Sequence, residues 1–208
     1  MIIAIDGAST DLSLAVADPD GTLIGEDAWS SAQRQSAELL PHLLALLARI
    51  ERPLHDATAV AVGSGPGSFT GLRVAMALAK GLAVGLRIPI VGVPSLEAWL
   101  DADPDATAAV ARAGAREAYV LVRGGDLPRI VDRDALDTTA VVVAAEELAT
   151  AFGLGHARRP RGATAIARRA AERLTADAAG DDLRTLEPIY LRAPRGVAAE
   201  SGELVRWL

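Results

Sequence analysis

The chain opens on an apolar run over residues 1–5, as expected of a strand buried on both faces, and a polar turn follows from Asp6 to Asp11. Leu12, Leu14 and Val16 alternate with smaller or polar residues, and Asp18-Pro19-Asp20-Gly21 carries a strong turn signal. Residues 22–29 predict a third strand. A helix is predicted over 36–50, where Leu39, Leu40, Leu43, Leu44, Leu47 and Ile50 recur at helical spacing. Pro41 fits its first turn, where a missing N–H matters least. The next strand, 57–62, runs into a glycine-rich turn at 63–71 and then a second predicted helix, 70–86. That helix carries Val74, Ala75, Ala77, Leu78, Ala79, Gly81, Leu82, Ala83 and Gly85, so burial on nearly every side is expected. Residues 88–93 predict a strand, and Ser95 is placed to cap a short helix ending at Leu100.

Asp101-Ala102-Asp103-Pro104-Asp105 is the candidate boundary between a first lobe, 1–100, and a smaller second lobe, 101–208. Beyond it, residues 107–111, 117–123 and 129–131 predict a meander with a hairpin turn at Gly124-Gly125-Asp126. Residues 141–144 predict a further strand, 164–179 a helix rich in arginine and alanine, and 188–192 a late extended segment. Strands mixed with helices in two unequal lobes make the class α/β.

Composition narrows the chemistry. With 208 residues, half of them hydrophobic, the chain is ample for a core, and a formal charge of −6 is too modest for disorder. The absence of cysteine excludes disulfides, a thiol nucleophile and Cys-ligated metal. No apolar run, that around 141–145 included, exceeds six residues, short of the roughly 20 residues of a membrane span, and Asp6 comes too early for a secretory signal. A soluble cytoplasmic protein with no membrane partner is expected. Lys80 is the sole lysine, so any phosphate-gripping or Schiff-base lysine has to be this one. Residues 1–104 hold 12 acids and 6 bases, whereas 105–208 hold 15 of each, which argues against the first half gripping nucleic acid by itself.

Several constellations could carry chemistry. A strand entering a glycine-rich turn and then a helix has the general design of a phosphate cradle, which makes Gly65, Gly67 and Ser68 candidates for an anion or nucleotide site. Ser68-Phe69-Thr70 stands where a Walker loop needs Gly-Lys-Ser/Thr, and the dinucleotide fingerprint fails too, so a purely structural turn is the other reading. Asp6, ending the first strand, is similar to the first phosphate-loop carboxylate of actin-like kinases and ATPases, or else simply forms a turn. His42, His55 and His156 are isolated, so no metal site is expected. No Gly-x-Ser-x-Gly elbow or other nucleophile with a base appears, and no catalytic residue is assigned. Arg158, Arg159, Arg161, Arg168, Arg169 and Arg173 form the one basic concentration: a solvated helix face, or a phosphate-contacting patch.

Gly65-Pro66-Gly67-Ser68-Phe69-Thr70-Gly71-Leu72-Arg73 resembles the hallmark of the TsaB family, also called YeaZ. Ile3-Ala4-Ile5-Asp6, Leu39-Leu40-Pro41 and Glu187-Pro188-Ile189-Tyr190-Leu191-Arg192 fit the family's opening, first helix and closing segment. The first loop departs from the usual Asp-Thr-Ser, and the second lobe preserves only fragments of the family pattern.

The resemblance implies an actin-like ATPase fold (ASKHA, ribonuclease-H-like) with a reduced second lobe. It implies a non-catalytic subunit that dimerises with the catalytic paralogue TsaD, recruits the small ATPase TsaE, and helps install threonylcarbamoyl on the adenosine next to the anticodon of tRNA. No cofactor of its own is implied, though ATP or ADP would sit at the complex interface; tRNA would be met only through the complex. The interface would use the two first-lobe helices, through Leu40, Leu43, Leu44, Leu47, Arg73, Val74, Ala75, Leu78, Ala79 and Leu82, and the same surface would form a homodimer when the chain is alone. The competing reading is a stand-alone nucleotide-dependent kinase or acyltransferase that uses Asp6 and the glycine loop.

Overall fold

A computed structural model describes residues 1–31 and 34–191 of the 208. The first sheet is built from β1 (Ile2–Asp6), β2 (Asp11–Ala17), β3 (Leu23–Ser30), β4 (Ala59–Gly65) and β5 (Ile90–Pro94), in the order β3-β2-β1-β4-β5. β1 pairs antiparallel with β2 and parallel with β4. Alternation sorts its side chains by size. Ile3 and Ile5 join Leu12, Leu14, Val16, Val60 and Val62 on one face, covered by α1 (Gln35–Arg49) and α2 (Phe69–Leu86). Ile2 and Ala4 share the opposite face with Ala15, Ala17, Ala59, Ala61 and Val91.

The second sheet repeats this plan. Its strands β6 (Ala108–Arg112), β7 (Glu117–Val122), β8 (Arg129–Asp132), β9 (Val141–Ala144) and β10 (His156–Arg158) lie in the order β10-β9-β6-β7-β8. β6 pairs antiparallel with β7 and parallel with β9, as β1 does with β2 and β4. α4 (Glu146–Phe152) joins β9 to β10 as α2 joins β4 to β5. The copy is reduced at one place: a single 3-10 turn, Arg133–Ala135, stands where the first sheet has α1. This duplicated strand order is the actin-like, ribonuclease-H-like arrangement.

The helices that follow the two sheets cross over. α3 (Ser95–Ala102) leaves β5 and packs Leu96, Trp99 and Leu100 against Ala109, Tyr119, Leu121 and Val143 of the second sheet. α5 (Gly162–Ala176) leaves β10 and lays Ala163, Ile166, Ala167, Ala170 and Ala171 on the alanine-lined face of the first. Residues 103–107 do separate the sheets, yet α5 and the segment after it return to the first, so a division at 100/101 strips that sheet of one cover.

Other expectations need correction. α1 begins at Gln35, which puts Pro41 in its second turn; Ala37, whose carbonyl loses its partner, and Pro41 are both exposed, so water can serve that carbonyl. α2 is not buried all round: its inner face is Gly71, Leu72, Ala75, Met76, Ala79 and Ala83, Val74, Leu78, Leu82 and Leu86 are half-buried at its sides, and Arg73, Ala77, Gly81, Val84 and Gly85 are exposed. By length and mean hydropathy (1.4) α2 could cross a bilayer, contrary to the expectation from apolar runs, but its inner face is part of the core. α4 and β10 were not anticipated, and Arg192 of the closing segment lies outside the described residues.

Leu43 is fully buried and its neighbour Leu44 is 47% exposed. Leu43→Ala is expected to lower the unfolding free energy by about 2–5 kcal/mol, and Leu44→Ala by less than about 0.5 kcal/mol. Urea denaturation of the two variants checks the contrast.

Candidate functional site

Asp6 closes β1 in the crease between the lobes and is 1% exposed. Trp99 Nε1–H donates to its Oδ2 (2.6 Å), and the Ser95 hydroxyl (3.1 Å) and the Ala8 amide (3.2 Å) donate to Oδ1. Gly162, at the start of α5, lies so close that a Cβ there would overlap Asp6 Oδ2 and the Trp99 ring. Desolvation by burial pushes the Asp6 carboxyl above the ordinary carboxylate range, against the pull of those three donors. A carboxylate held this way joins β1 to α3 through two hydrogen bonds and packs closely against the start of α5.

The glycine loop is likewise turned inward. The Gly65 amide donates to Ser95 Oγ (3.1 Å), the Ser68 amide to the Ala8 carbonyl (2.7 Å) and the Gly71 amide to Ser68 Oγ, which caps α2 (3.2 Å). Gly67 rides against the Ala8 backbone, where any Cβ would strike the carbonyl oxygen. Three amides of the loop, those of Gly65, Ser68 and Gly71, are thus committed to protein acceptors. Beside the loop runs a cleft of about 290 Å³ lined in part by Ser9, Ser68, Ala111, Arg112 and Tyr119, with Arg112 bonded to Glu147 (2.9 Å) at its side. Among the described residues no group of three His, Asp or Glu is placed to hold a metal ion.

The arginine concentration is neutralised in place. Arg158 pairs with Asp103 (2.8 Å) and Asp105, Arg159 with Glu146, Arg161 with Glu26, Arg168 and Arg169 with Asp101, and Arg173 with Asp181 (2.7 Å). These are partner-satisfied side chains, several of them tying elements of different lobes together, rather than an open phosphate-binding surface.

The two helices expected to carry an interface divide cleanly. Leu43, Leu47, Ala75 and Ala79 are at most 3% exposed and belong to the core, so they are corrected out of the candidate set. They sit one helical step from exposed residues, and the sequence alone does not say which stripe meets the sheet. Leu40 (41%) and Leu44 (47%) are exposed, Arg73 is exposed, and Val74, Leu78 and Leu82 are half-buried. On α1, Glu38 and His42 turn toward β3: Glu38 accepts from Trp29 Nε1 (3.1 Å), and His42 stacks on Trp29 and bonds Asp27. Leu40 and Leu44 lie on the other flank, beside α2. Val84 (63% exposed), Ala77 and Phe69 (45%) were missed; Val84 follows Ala77 by seven residues, a spacing that could have found it.

A family model described as TsaD: tRNA N6-adenosine threonylcarbamoyltransferase matches residues 30–192. The "tRNA threonylcarbamoyladenosine biosynthesis protein TsaB" of Escherichia coli is 37% identical over 95 residues, and that of Bacillus subtilis 38% over 96. The chain belongs to the TsaB/YeaZ family, within the group that model describes. The alignments cover 46% of this chain and 40% and 42% of those two TsaB proteins; an uncharacterized protein of Mycobacterium tuberculosis is 37% identical over 57% of this chain and 56% of its own. The chain thus spans about half the length of the curated relatives it matches. Among solved structures, YeaZ from Pseudomonas aeruginosa has a TM-score of 0.67 at 20% identity over 91% of this chain and 99% of that one. A second Pseudomonas aeruginosa structure, described as similar to peptidase YeaZ, has 0.69 at 21%, over 92% and 99%. At that identity the likeness establishes the fold.

In this TsaB-type chain the hallmark segment therefore serves the fold through residues 65–68 and faces outward through Phe69 and Arg73. Asp6 gives a test of its buried role. Because its folded carboxyl holds a proton more tightly than the unfolded chain does, its contribution to stability declines as pH rises through the folded value. The stability difference between wild type and Asp6→Asn should therefore shrink in a series of urea melts as pH rises above the ordinary carboxylate range of the unfolded chain. A pH-independent difference would contradict the raised carboxyl.

Proposed function

We propose that the chain is a non-catalytic partner subunit in the threonylcarbamoylation of tRNA adenosine. The observation that carries this reading is the outward face of α1 and α2. Leu40, Leu44, Val74, Ala77, Leu78, Gly81 and Val84 make an apolar, small-residue surface on two packed helices, and apolar surface of that extent on a folded domain favours a protein partner. The partner is a TsaD-type catalytic paralogue, the complex also takes up a TsaE-type ATPase, and the same face forms a homodimer when the chain is alone. The tRNA is reached through the complex, in keeping with arginines already paired to carboxylates. Any ATP or ADP is held at the shared interface with the partner's side chains, since the Gly65, Ser68 and Gly71 amides of the glycine loop are bonded to protein. The chain acts in the cytoplasm. A stand-alone kinase or acyltransferase would need Asp6 free to order a metal-bound water, and its three bonds to Ala8, Ser95 and Trp99 disfavour that reading.

Gly81 is exposed with no heavy atom near its would-be Cβ, so Gly81→Trp adds bulk to the face without disturbing the fold. Light scattering after size exclusion should find wild type as a homodimer that converts to a one-to-one heterodimer with the TsaD-type paralogue of the same organism. Gly81→Trp should stay monomeric in both settings with an unchanged circular dichroism spectrum. Pairing of the variant at wild-type strength would remove the face from the interface.

A further inference from the structure

The outward face of α2 is apolar, but one flank of it is charged with a single sign. Arg73, Lys80 and Arg87 follow one another at intervals of seven residues, two helical turns or about 10 Å each, and so form a row along the helix. The 18 residues of α2 contain no aspartate or glutamate. Lys80 is partly answered by the chain itself, because its charge helps hold the Asp182 carboxyl below the usual range. Arg73 and Arg87 are exposed and form no ion pair among the described residues. Arg73 is held by its guanidinium lying over the Phe69 ring, 5.1 Å from the centroid, and Phe69 is braced in turn by Tyr190 at 5.4 Å. This fixes its position without neutralising it.

Two comparisons within the molecule make the row unusual. Residues 1–104 carry a twofold excess of acids and the arginines of the second half are largely paired to carboxylates, so an acid-free helix carrying exposed arginines at both ends stands out, although Arg49, Arg52, Arg123 and Arg129 also form no ion pair among the described residues. Arg87 also stands at the C-cap with φ 59°, a left-handed position where glycine would be unstrained, so the backbone gives no reason for an arginine there. A second copy of the chain brings to the face another uncompensated row. Its α1 has one carboxylate, Glu38, and that is bonded to Trp29 and paired with Arg34.

We propose that Arg73 and Arg87 select which protein docks on the α1/α2 face, accepting a partner surface that presents carboxylates about 20 Å apart and disfavouring a second copy of this chain. The inference rests on the partner-subunit reading and adds the chemistry of that partner. Apolar contact on α2 supplies the area common to both assemblies, and the charged row supplies the difference between them. Homodimer and heterodimer then respond to salt with opposite sign. Screening relieves repulsion in the first and weakens attraction in the second.

The experiment measures both dissociation constants by analytical ultracentrifugation at low and high sodium chloride, for wild type, Arg73→Glu/Arg87→Glu and Gly81→Trp. For wild type, the heterodimer with the TsaD-type paralogue should weaken with salt while the homodimer tightens. The charge-reversed variant should bind the paralogue at least tenfold more weakly yet pair with wild-type chain more tightly than wild type pairs with itself. If the charge-reversed variant binds the paralogue normally while Gly81→Trp does not, the face is the interface but the row does not choose the partner, and this proposal falls. If both bind normally, the partner-subunit reading of the face falls first. A charge-reversed variant that loses affinity for tRNA but not for the paralogue also overturns the proposal, by making the row a nucleic-acid contact.

Discussion

One buried carboxylate sets the geometry of the whole molecule. Asp6 ends the central strand of the first sheet, and two of its three donors come from α3, 89 and 93 residues further along. α5 is held against the same atoms by a glycine that leaves no space for a side chain. Those are the two helices that cross between the sheets, so a single desolvated oxygen pair fixes how far each can approach the strand and, through them, how the lobes are disposed. A buried carboxylate without its donors is strongly unfavourable, which makes this arrangement close to all-or-none.

The same economy of space explains the composition. The alanines that dominate the chain are not spread evenly: Ala4, Ala15, Ala17, Ala59 and Ala61 tile one face of the first sheet, and Ala163, Ala167, Ala170 and Ala171 tile the helix laid on it. Small against small brings helix and sheet close, with backbone dispersion replacing large side-chain contacts. The opposite face uses leucine, isoleucine and valine beneath α1 and α2. One sheet thus has a thin side facing the crossing helix and a thick side under α1 and α2.

Much of this is legible in the sequence and some is not, for identifiable reasons. β1 to β5, α1 and α2 follow from alternation, helical spacing and turn residues, which report local geometry without reference to the rest of the fold. Which side of a helix faces inward is a tertiary fact. Leu43 and Leu44 are the same residue type one helical step apart, and only the sheet beneath decides that the first is core and the second surface. α4 spans seven residues with Leu148 and Phe152 as its only buried ones, too little for a periodic signal. The arginines at 158–173 look like a patch in sequence because their carboxylate partners, from Glu26 to Asp181, are scattered. Asp6 and the glycine loop stand out in the sequence, but Ser95, Trp99 and Gly162, which close around Asp6, lie far from either loop, so the motifs alone could not tell a ligand cradle from a joint.

α5 and the strand-like stretch after it have one further consequence. The first sheet receives its second cover from residues 162–176 and has the open side of β5 closed at Ile90 by the amide of Asp181, while Ile189 bonds back to Ser64. A chain growing from the ribosome therefore finishes its amino-terminal sheet last. The leading hundred residues emerge with an uncovered apolar face and an open strand edge, and they stay so until residues 162–189 are out. The first sheet is completed only when that distant stretch arrives, and removing it uncovers a face formed a hundred residues earlier.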